Sequence, residues 1–356
     1  MKYYFAPMEG VTDHIYRNIH HKHFPGIDKY YTPFISVYPS FTLKNREKRG
    51  VMKENNRDIP LVPQFLVNEP KKFLYGVRLM QDYGWDEVNL NLGCPSGTVV
   101  SKGRGAGFLA APEKLEAFFD TFFEELEAAQ QGQPAMKISV KTRLGMESVD
   151  EFERLLEIYN RFPIHELTIH PRLRTDYYKG SIHMDVFWKA LAESRNPVCY
   201  NGDICMPADM EKLREKLMMD GDAGVPGAVA VAGDSGLAEM TSIGEELIEH
   251  ESAAPCAVMI GRGLVTNPAL VRELQGGEKL NRSELKAFSD ELYDAYREEF
   301  EEKGLIFRMK ELWGYMGASF DNCEKYLKGI RKAQTPADLR AAITNLFGAC
   351  ELREDR

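Results

Sequence analysis

Glu87-Val88-Asn89-Leu90-Asn91-Leu92-Gly93-Cys94-Pro95-Ser96-Gly97 is the stretch on which the fold turns. From Glu87 to Leu92, apolar Val88, Leu90 and Leu92 alternate with Asn89 and Asn91, the period-two pattern of a strand. The strand breaks at Gly93 into a loop whose cysteine is held by Pro95, and a glycine-rich run, Lys102-Gly103-Arg104-Gly105-Ala106-Gly107, follows. A structural cysteine more often sits inside a strand. One on a loop just past a strand end can move over a bound ligand and donate or take a proton.

Working outward, short apolar segments of the same kind recur. Strands are expected near Tyr3–Ala6, Lys29–Thr32, Pro60–Phe65, Ile138–Thr142, Glu166–His170, Val198–Asn201 and Ala257–Ile260, with amphipathic helices between them. In one such helix Leu115, Phe118, Phe119, Phe122 and Leu126 share a face. Strand–helix alternation repeated through the first 270 residues or so predicts an α/β fold, a (β/α)8 TIM barrel over residues 1–272. No GxGxxG follows the first strand, which weakens a doubly wound dinucleotide-binding alternative. The stretch between Asn201 and Gly261 is too long for one βα unit, so an insertion is expected at about 218–255. Ala228–Ala232 within it rivals Ala257–Ile260 as the eighth strand. The latter is preferred because Gly261-Arg262-Gly263 follows it.

Beyond Asn267-Pro268 the character changes. Leu285, Phe288, Leu292, Tyr296 and Phe300 mark one helix, and Met309, Leu312, Trp313, Met316 and Phe320 another. Thr335-Pro336-Ala337-Asp338 caps a last one through Leu339, Ile343 and Phe347. A small all-helical C-terminal domain is expected over 278–356.

Bulk properties exclude several classes. The 356 residues carry a net charge of −9 and 44% hydrophobic residues, ordinary for a soluble globular chain. No apolar run approaches the roughly 20 residues of a membrane helix, and the N-terminal apolar region is too short for a signal peptide. Six scattered cysteines without a CxxC pair argue against a metal centre or a disulfide framework, and for a reducing cytoplasm. The acidic balance gives no global sign of a nucleic-acid partner, but screening within about 10 Å leaves room for a local basic face.

A TIM barrel places its chemistry at the C-terminal strand ends. Those ends here carry Pro7-Met8-Glu9-Gly10, Gln64, Asn91 with Cys94, Lys141 with Arg143, His170 with Arg172, Asn201-Gly202-Asp203 and Gly261-Arg262-Gly263. Each has a bland reading alone: a loop glutamine, a barrel-mouth ion pair, a core histidine. Together they are hard to attribute to folding. Glycines after the last two strands let backbone N–H groups approach an anion, and Arg262 adds a charged fork, which makes a phosphate cup. Lys141, Gln64 and His170 supply donors and an acceptor for a heteroaromatic ring, and the combination suggests FMN. Another phosphorylated ligand would use the same cup.

The sequence resembles the tRNA-dihydrouridine synthase family. The match runs through Ala6-Pro7-Met8-Glu9-Gly10-Val11-Thr12-Asp13, Asn91-Leu92-Gly93-Cys94-Pro95-Ser96, Val140-Lys141-Thr142-Arg143-Leu144-Gly145, His170-Pro171-Arg172, Asn201-Gly202-Asp203-Ile204 and Met259-Ile260-Gly261-Arg262-Gly263. The resemblance implies an FMN enzyme that reduces the C5–C6 bond of selected tRNA uridines with NADPH as reductant. Hydride reaches C6 from the flavin N5, and Cys94 protonates C5 from the opposite side. It assigns Pro7, Met8, Glu9, Gln64, Lys141, His170, Asn201, Gly202, Asp203, Gly261 and Arg262 to FMN, and Asn91 and Arg172 to the uracil ring. A basic face for tRNA is expected on the helical domain from Lys325, Lys328, Arg331 and Lys332, extended by Arg308 and Lys310. The bland alternative is a solvated helix face. A monomer in the cytoplasm is expected, with no membrane contact. Two other readings remain: a dihydroorotate- or dihydropyrimidine-dehydrogenase-like enzyme acting on a free pyrimidine, and a non-catalytic tRNA-binding protein.

Overall fold

The computed structural model of the chain describes residues 1–130, 134–222 and 255–353. Nine parallel strands form one sheet: β1 (Lys2–Phe5), β2 (Lys29–Tyr31), β3 (Leu61–Val62), β4 (Gln64–Phe65), β5 (Glu87–Leu92), β6 (Lys137–Gly145), β7 (Glu166–Leu173), β8 (Val198–Tyr200) and β9 (Ala257–Ile260). Their order is β3-β2-β1-β9-β8-β7-β6-β5-β4. The two ends of that order are neighbours in the chain, separated only by Pro63. The sheet therefore closes on itself as a TIM barrel. The expected single strand Pro60–Phe65 divides because Pro63 has no N–H for the ladder. Its carbonyl still accepts from the Asn89 N–H at 2.9 Å, carrying the pairing round to β5.

Side chains alternate across each strand. Val88, Leu90 and Leu92 join a large apolar cluster with the surrounding helices, including Phe118, Phe119 and Phe122 of the helix Pro112–Ala129. A second, small cluster of Tyr4, Ala6, Tyr31, Val62, Cys199, Ala257 and Met259 contains side chains from the opposite faces of their strands, the barrel interior. β9 pairs with β1 and β8, so Ala257–Ile260 is the closing strand, as preferred. The rival Ala228–Ala232, and all of the expected insertion from 223 to 254, lie outside the described residues. A helix, Pro207–Asp222, leads into that stretch.

Four principal helices follow the barrel: Arg282–Glu299, Glu302–Met316, Glu324–Lys332 and Pro336–Ala349. The last starts with the expected cap, in which Thr335 and Asp338 satisfy each other's backbone N–H groups. This region packs on the barrel's first helix, His14–His23. Phe288 meets Tyr16 edge-on at 5.7 Å and Phe24 at 5.3 Å, and Tyr296 donates to Asp13 at 3.1 Å. The apolar core runs without a break from barrel residues to Trp313 and Phe347. Among the described residues, no helix is long and apolar enough to cross a membrane.

Candidate active site

The strand ends surround a cavity of about 300 Å³. It is lined by Pro7, Met8, Glu9, Gln64, Asn91, Cys94, Lys141, His170, Asn201, Gly202, Asp203, Gly261 and Arg262. The closed ladder brings together side chains as far apart in sequence as Pro7 and Arg262.

Cys94 leaves β5 on a loop held from both sides. The Asn91 side-chain oxygen accepts from the Gly93 and Cys94 N–H groups, each at 3.0 Å. From the other side, Ala106 N–H donates to the Cys94 carbonyl at 3.1 Å. Gly105 has φ +54, and a Cβ there would lie 2.9 Å from that of Cys94. The glycine-rich run is thus a brace for the cysteine loop, and only glycine permits the close approach. Burial raises the Cys94 thiol above its ordinary range, against the lowering effect of the Ser96 backbone and Arg143. The group is a protonated thiol at neutral pH, suited to act as an acid.

Lys141 has no hydrogen-bond or ion-pair partner among the described residues, and its amine lines the cavity. Burial first, and then Arg143, pull it down to about 7. His170 is held well below its ordinary range by burial and by Arg143, Lys141, Arg172 and Arg262. It is therefore neutral. Arg172 can only donate to its Nε2, 3.3 Å away, so the ring proton sits on Nδ1. Gln64 is fully buried. It donates to Asn89 at 2.9 Å and accepts from Asn91 at 2.7 Å, which leaves one N–H and one lone pair for a ligand.

Asp203 organises the opposite rim. Arg172 grips it through two bonds of 3.0 and 2.7 Å, and Arg262 adds one of 2.6 Å. Burial would raise this carboxyl, but the two arginines together hold it below the usual range. The Gly202, Asp203 and Gly261 N–H groups find no acceptor among the described residues. An unpartnered amine, free backbone donors and a half-exposed arginine are a donor set that fits a phosphate monoester with an electron-poor ring beside it.

Arg172 is buried and does not line the cavity. Its guanidinium is committed to Asp203, His170 and the Gly180 carbonyl, so it shapes the rim from outside the cavity. Arg308 does not extend the basic face. It reaches back to the Gly10 carbonyl and lies 4.0 Å from Asp13, with only 12% of its side chain exposed. Glu9 lines the cavity, but its carboxylate pairs with Arg46 at 2.7 Å. Lys325, Lys328, Arg331 and Lys332 are exposed on their helix, Lys310 is half-buried, and Ile330 faces the core.

Sequence reasoning left several lining residues without a role. Arg143 was visible at its strand end. Its guanidinium holds the Gly93 and Leu173 carbonyls at 2.8 Å each. Tyr178, on the loop after β7, lies over Arg143 at 5.3 Å and Arg262 at 5.9 Å, and stacks towards His170 at 6.4 Å. Tyr315 brings the C-terminal helices into the cavity wall. Its one signal was an aromatic lying off the buried stripe of Leu305, Met309, Leu312 and Met316.

The dihydrouridine synthase (Dus) family model matches residues 4–228, which contain the cysteine loop, Lys141, His170 and Asp203. The chain belongs to the dihydrouridine synthase family. Membership makes it a flavin-dependent oxidoreductase. Over 354 residues it is 25% identical to a protein of Staphylococcus epidermidis named "Probable tRNA-dihydrouridine synthase", covering 98% of this chain and 90% of the relative. A Bacillus subtilis protein named "Probable tRNA-dihydrouridine synthase 2" is 26% identical over 296 residues, covering 83% and 78%. Among solved structures, a morphinone reductase mutant in complex with tetrahydroNAD superposes with a TM-score of 0.48 at 9% identity, covering 78% of this chain and 87% of that one.

Proposed function

We propose that this dihydrouridine synthase family member reduces the C5–C6 bond of specific uridines in cytoplasmic tRNA, with FMN as cofactor and NADPH as reductant. The observation that carries the reading is one cavity holding both the protonated Cys94 thiol and the unpartnered Lys141 amine beside a phosphate-sized donor cup. Gly202, Asp203, Gly261 and Arg262 would hold the FMN phosphate. Lys141, Gln64 and His170 would hold the ring, with Pro7, Met8 and Asn201 lining it. Bound FMN would supply hydride for C6 of uracil. Cys94 then delivers its proton to C5, where enolate-like charge has developed. Asn91 keeps the cysteine loop at the correct height for that transfer.

A base inside a folded tRNA must be turned out of its stack to reach a barrel mouth. Residues 278–356 are proposed as the docking domain on the catalytic barrel 1–272, with Lys325, Lys328, Arg331 and Lys332 as phosphate contacts. That exposed face favours tRNA over a free pyrimidine, which needs no docking surface. The test is dihydrouridine mapping of tRNA from cells lacking the protein, followed by restoration with purified protein, FMN and NADPH. Loss and restoration at the same positions are expected. Turnover of free uracil without activity on tRNA would overturn the proposal, as would the absence of any flavin spectrum after reconstitution with excess FMN.

A further inference from the structure

The barrel interior carries polar side chains well below the cavity. Glu87, Asn89 and Ser139 are buried there, on the same strand faces as Asn91 and Lys141. Their hydrogen bonds run in one direction. Asn91 donates to Gln64 at 2.7 Å, Gln64 to Asn89 at 2.9 Å, Asn89 to Ser139 at 3.0 Å, and Ser139 to the Glu87 carboxylate at 2.8 Å. The Ser139 hydroxyl also lies 3.3 Å from the Val88 carbonyl. At the floor, Lys29 sits 2.8 Å from Glu87 and 3.7 Å from Glu166, and Tyr4 donates to Glu166 at 2.7 Å.

We propose that Asn89, Ser139 and Glu87 form a positioning relay that fixes the amide orientation of Gln64 and Asn91 from the barrel floor, and thereby seats the Cys94 loop. Both ends of the chain impose the same direction. At the top, the Gly93 and Cys94 N–H groups can only donate, so Asn91 must turn its oxygen to them and its NH2 to Gln64. At the bottom, the Glu87 carboxylate is paired with Lys29 and accepts from Ser139, so the Ser139 oxygen is left to accept from Asn89. Each amide in between is left one orientation in which nothing buried is unpaired. Glu87 thus acts on Asn91 four residues along the strand, about 13 Å away. Buried amides without partners are strongly disfavoured, so cutting the chain in the middle should loosen its upper end.

The relay depends on the Cys94 reading only for its effect on turnover. It is tested in the full-length protein by amide hydrogen exchange at Gly93 and Cys94 and by the rate of Cys94 alkylation with iodoacetamide. Neither readout requires bound flavin or tRNA, so the relay can fail or stand apart from the proposed reaction. Ser139→Ala should speed exchange at both amides by about tenfold, the effect of losing roughly one hydrogen bond, with the β6–β7 ladder unchanged and alkylation faster. Thr168→Val, which removes another barrel-interior hydroxyl outside the relay, should move neither. Glu87→Gln keeps the side-chain volume should Ser139→Ala fail to fold. Its carboxamide oxygen must face Lys29, which turns an NH2 towards Ser139, and a smaller change in the same sense is expected. In turnover, kcat should fall while KM for tRNA holds. Unchanged exchange at Gly93 and Cys94 in both relay variants would overturn the proposal, as would an equal change in Thr168→Val.

Discussion

Arg172 meets Asp203 through two parallel bonds, Nη1 to Oδ1 at 3.0 Å and Nη2 to Oδ2 at 2.7 Å. Arg262 donates to the same Oδ1 at 2.6 Å, so a buried residue outside the cavity helps to set the position of an arginine inside it. Arg172→Lys keeps the charge but cannot reproduce the fork. FMN affinity should drop by about tenfold, one charge-assisted bond's worth, measured by quenching of flavin fluorescence. A rise in KM for tRNA with FMN affinity intact would return Arg172 to the uracil.

Arg262→Ala removes the charged group itself. FMN should bind about ten- to a hundredfold more weakly, corresponding to roughly 1.5–3 kcal/mol for a bond to a charged group. Titration of apoprotein with FMN at constant ionic strength checks it.

Cys94→Ala should preserve fold, FMN content and tRNA binding, and lose product formation by about 10²–10⁴, the usual contribution of a general acid. Flavin reduction by NADPH should survive, because that half-reaction does not use the uracil proton. The raised thiol predicts an alkaline limb: uridine reduction should decline as pH climbs past the ordinary thiol range and the acid is lost. A parental rate of dihydrouridine formation in the variant would make Cys94 structural.

Lys141 carries its own pH signature. Its folded pKa of about 7 lies below the unfolded value near 10.4, so the unfolded chain binds the extra proton between those limits. The resulting penalty is fully present below pH 7 and is relieved as pH rises towards 10. Lys141→Met should therefore be more stable than the parent at pH 6, by on the order of 4–5 kcal/mol, with the gain vanishing near pH 10. Denaturant melts of flavin-free protein at the two pH values read this difference.

Lys328→Glu with Arg331→Glu should raise the apparent KM for tRNA. Its salt dependence should flatten by about 0.9 in log–log slope for each phosphate that is no longer neutralised, with NADPH oxidation by the flavin unchanged. Arg308→Ala should behave differently. Its hydrogen bond to the Gly10 carbonyl and its ion pair with Asp13 tie the helices to the first strand-end loop, so stability should fall and the salt slope should stay. Unchanged tRNA affinity in the double variant would move docking elsewhere, with Lys44, Arg46, Lys48 and Arg49 the next surface to test.

The amino-acid order by itself determined the alternation of Glu87–Leu92, the strand ends that became the cavity wall, and the caps and apolar stripes of the C-terminal helices. These are local properties: a period of two or 3.6, a glycine or proline at a break, a side chain that can satisfy a nearby N–H. Tertiary structure decided which long side chains were free. Arg172 and Arg262 look alike at their strand ends, yet Asp203 and the Gly180 carbonyl bury one and leave the other on the cavity. Arg308 reads as part of a basic face until the Arg282–Glu299 and Glu302–Met316 helices dock and turn it towards Gly10. Tyr178 and Tyr315 enter the wall only because a loop and a distant helix converge there. The Asn91-to-Glu87 chain likewise exists only once the barrel closes. Hydrogen bonds and ion pairs between residues far apart in sequence depend on through-space distance, and that distance is set by the packing of the whole chain.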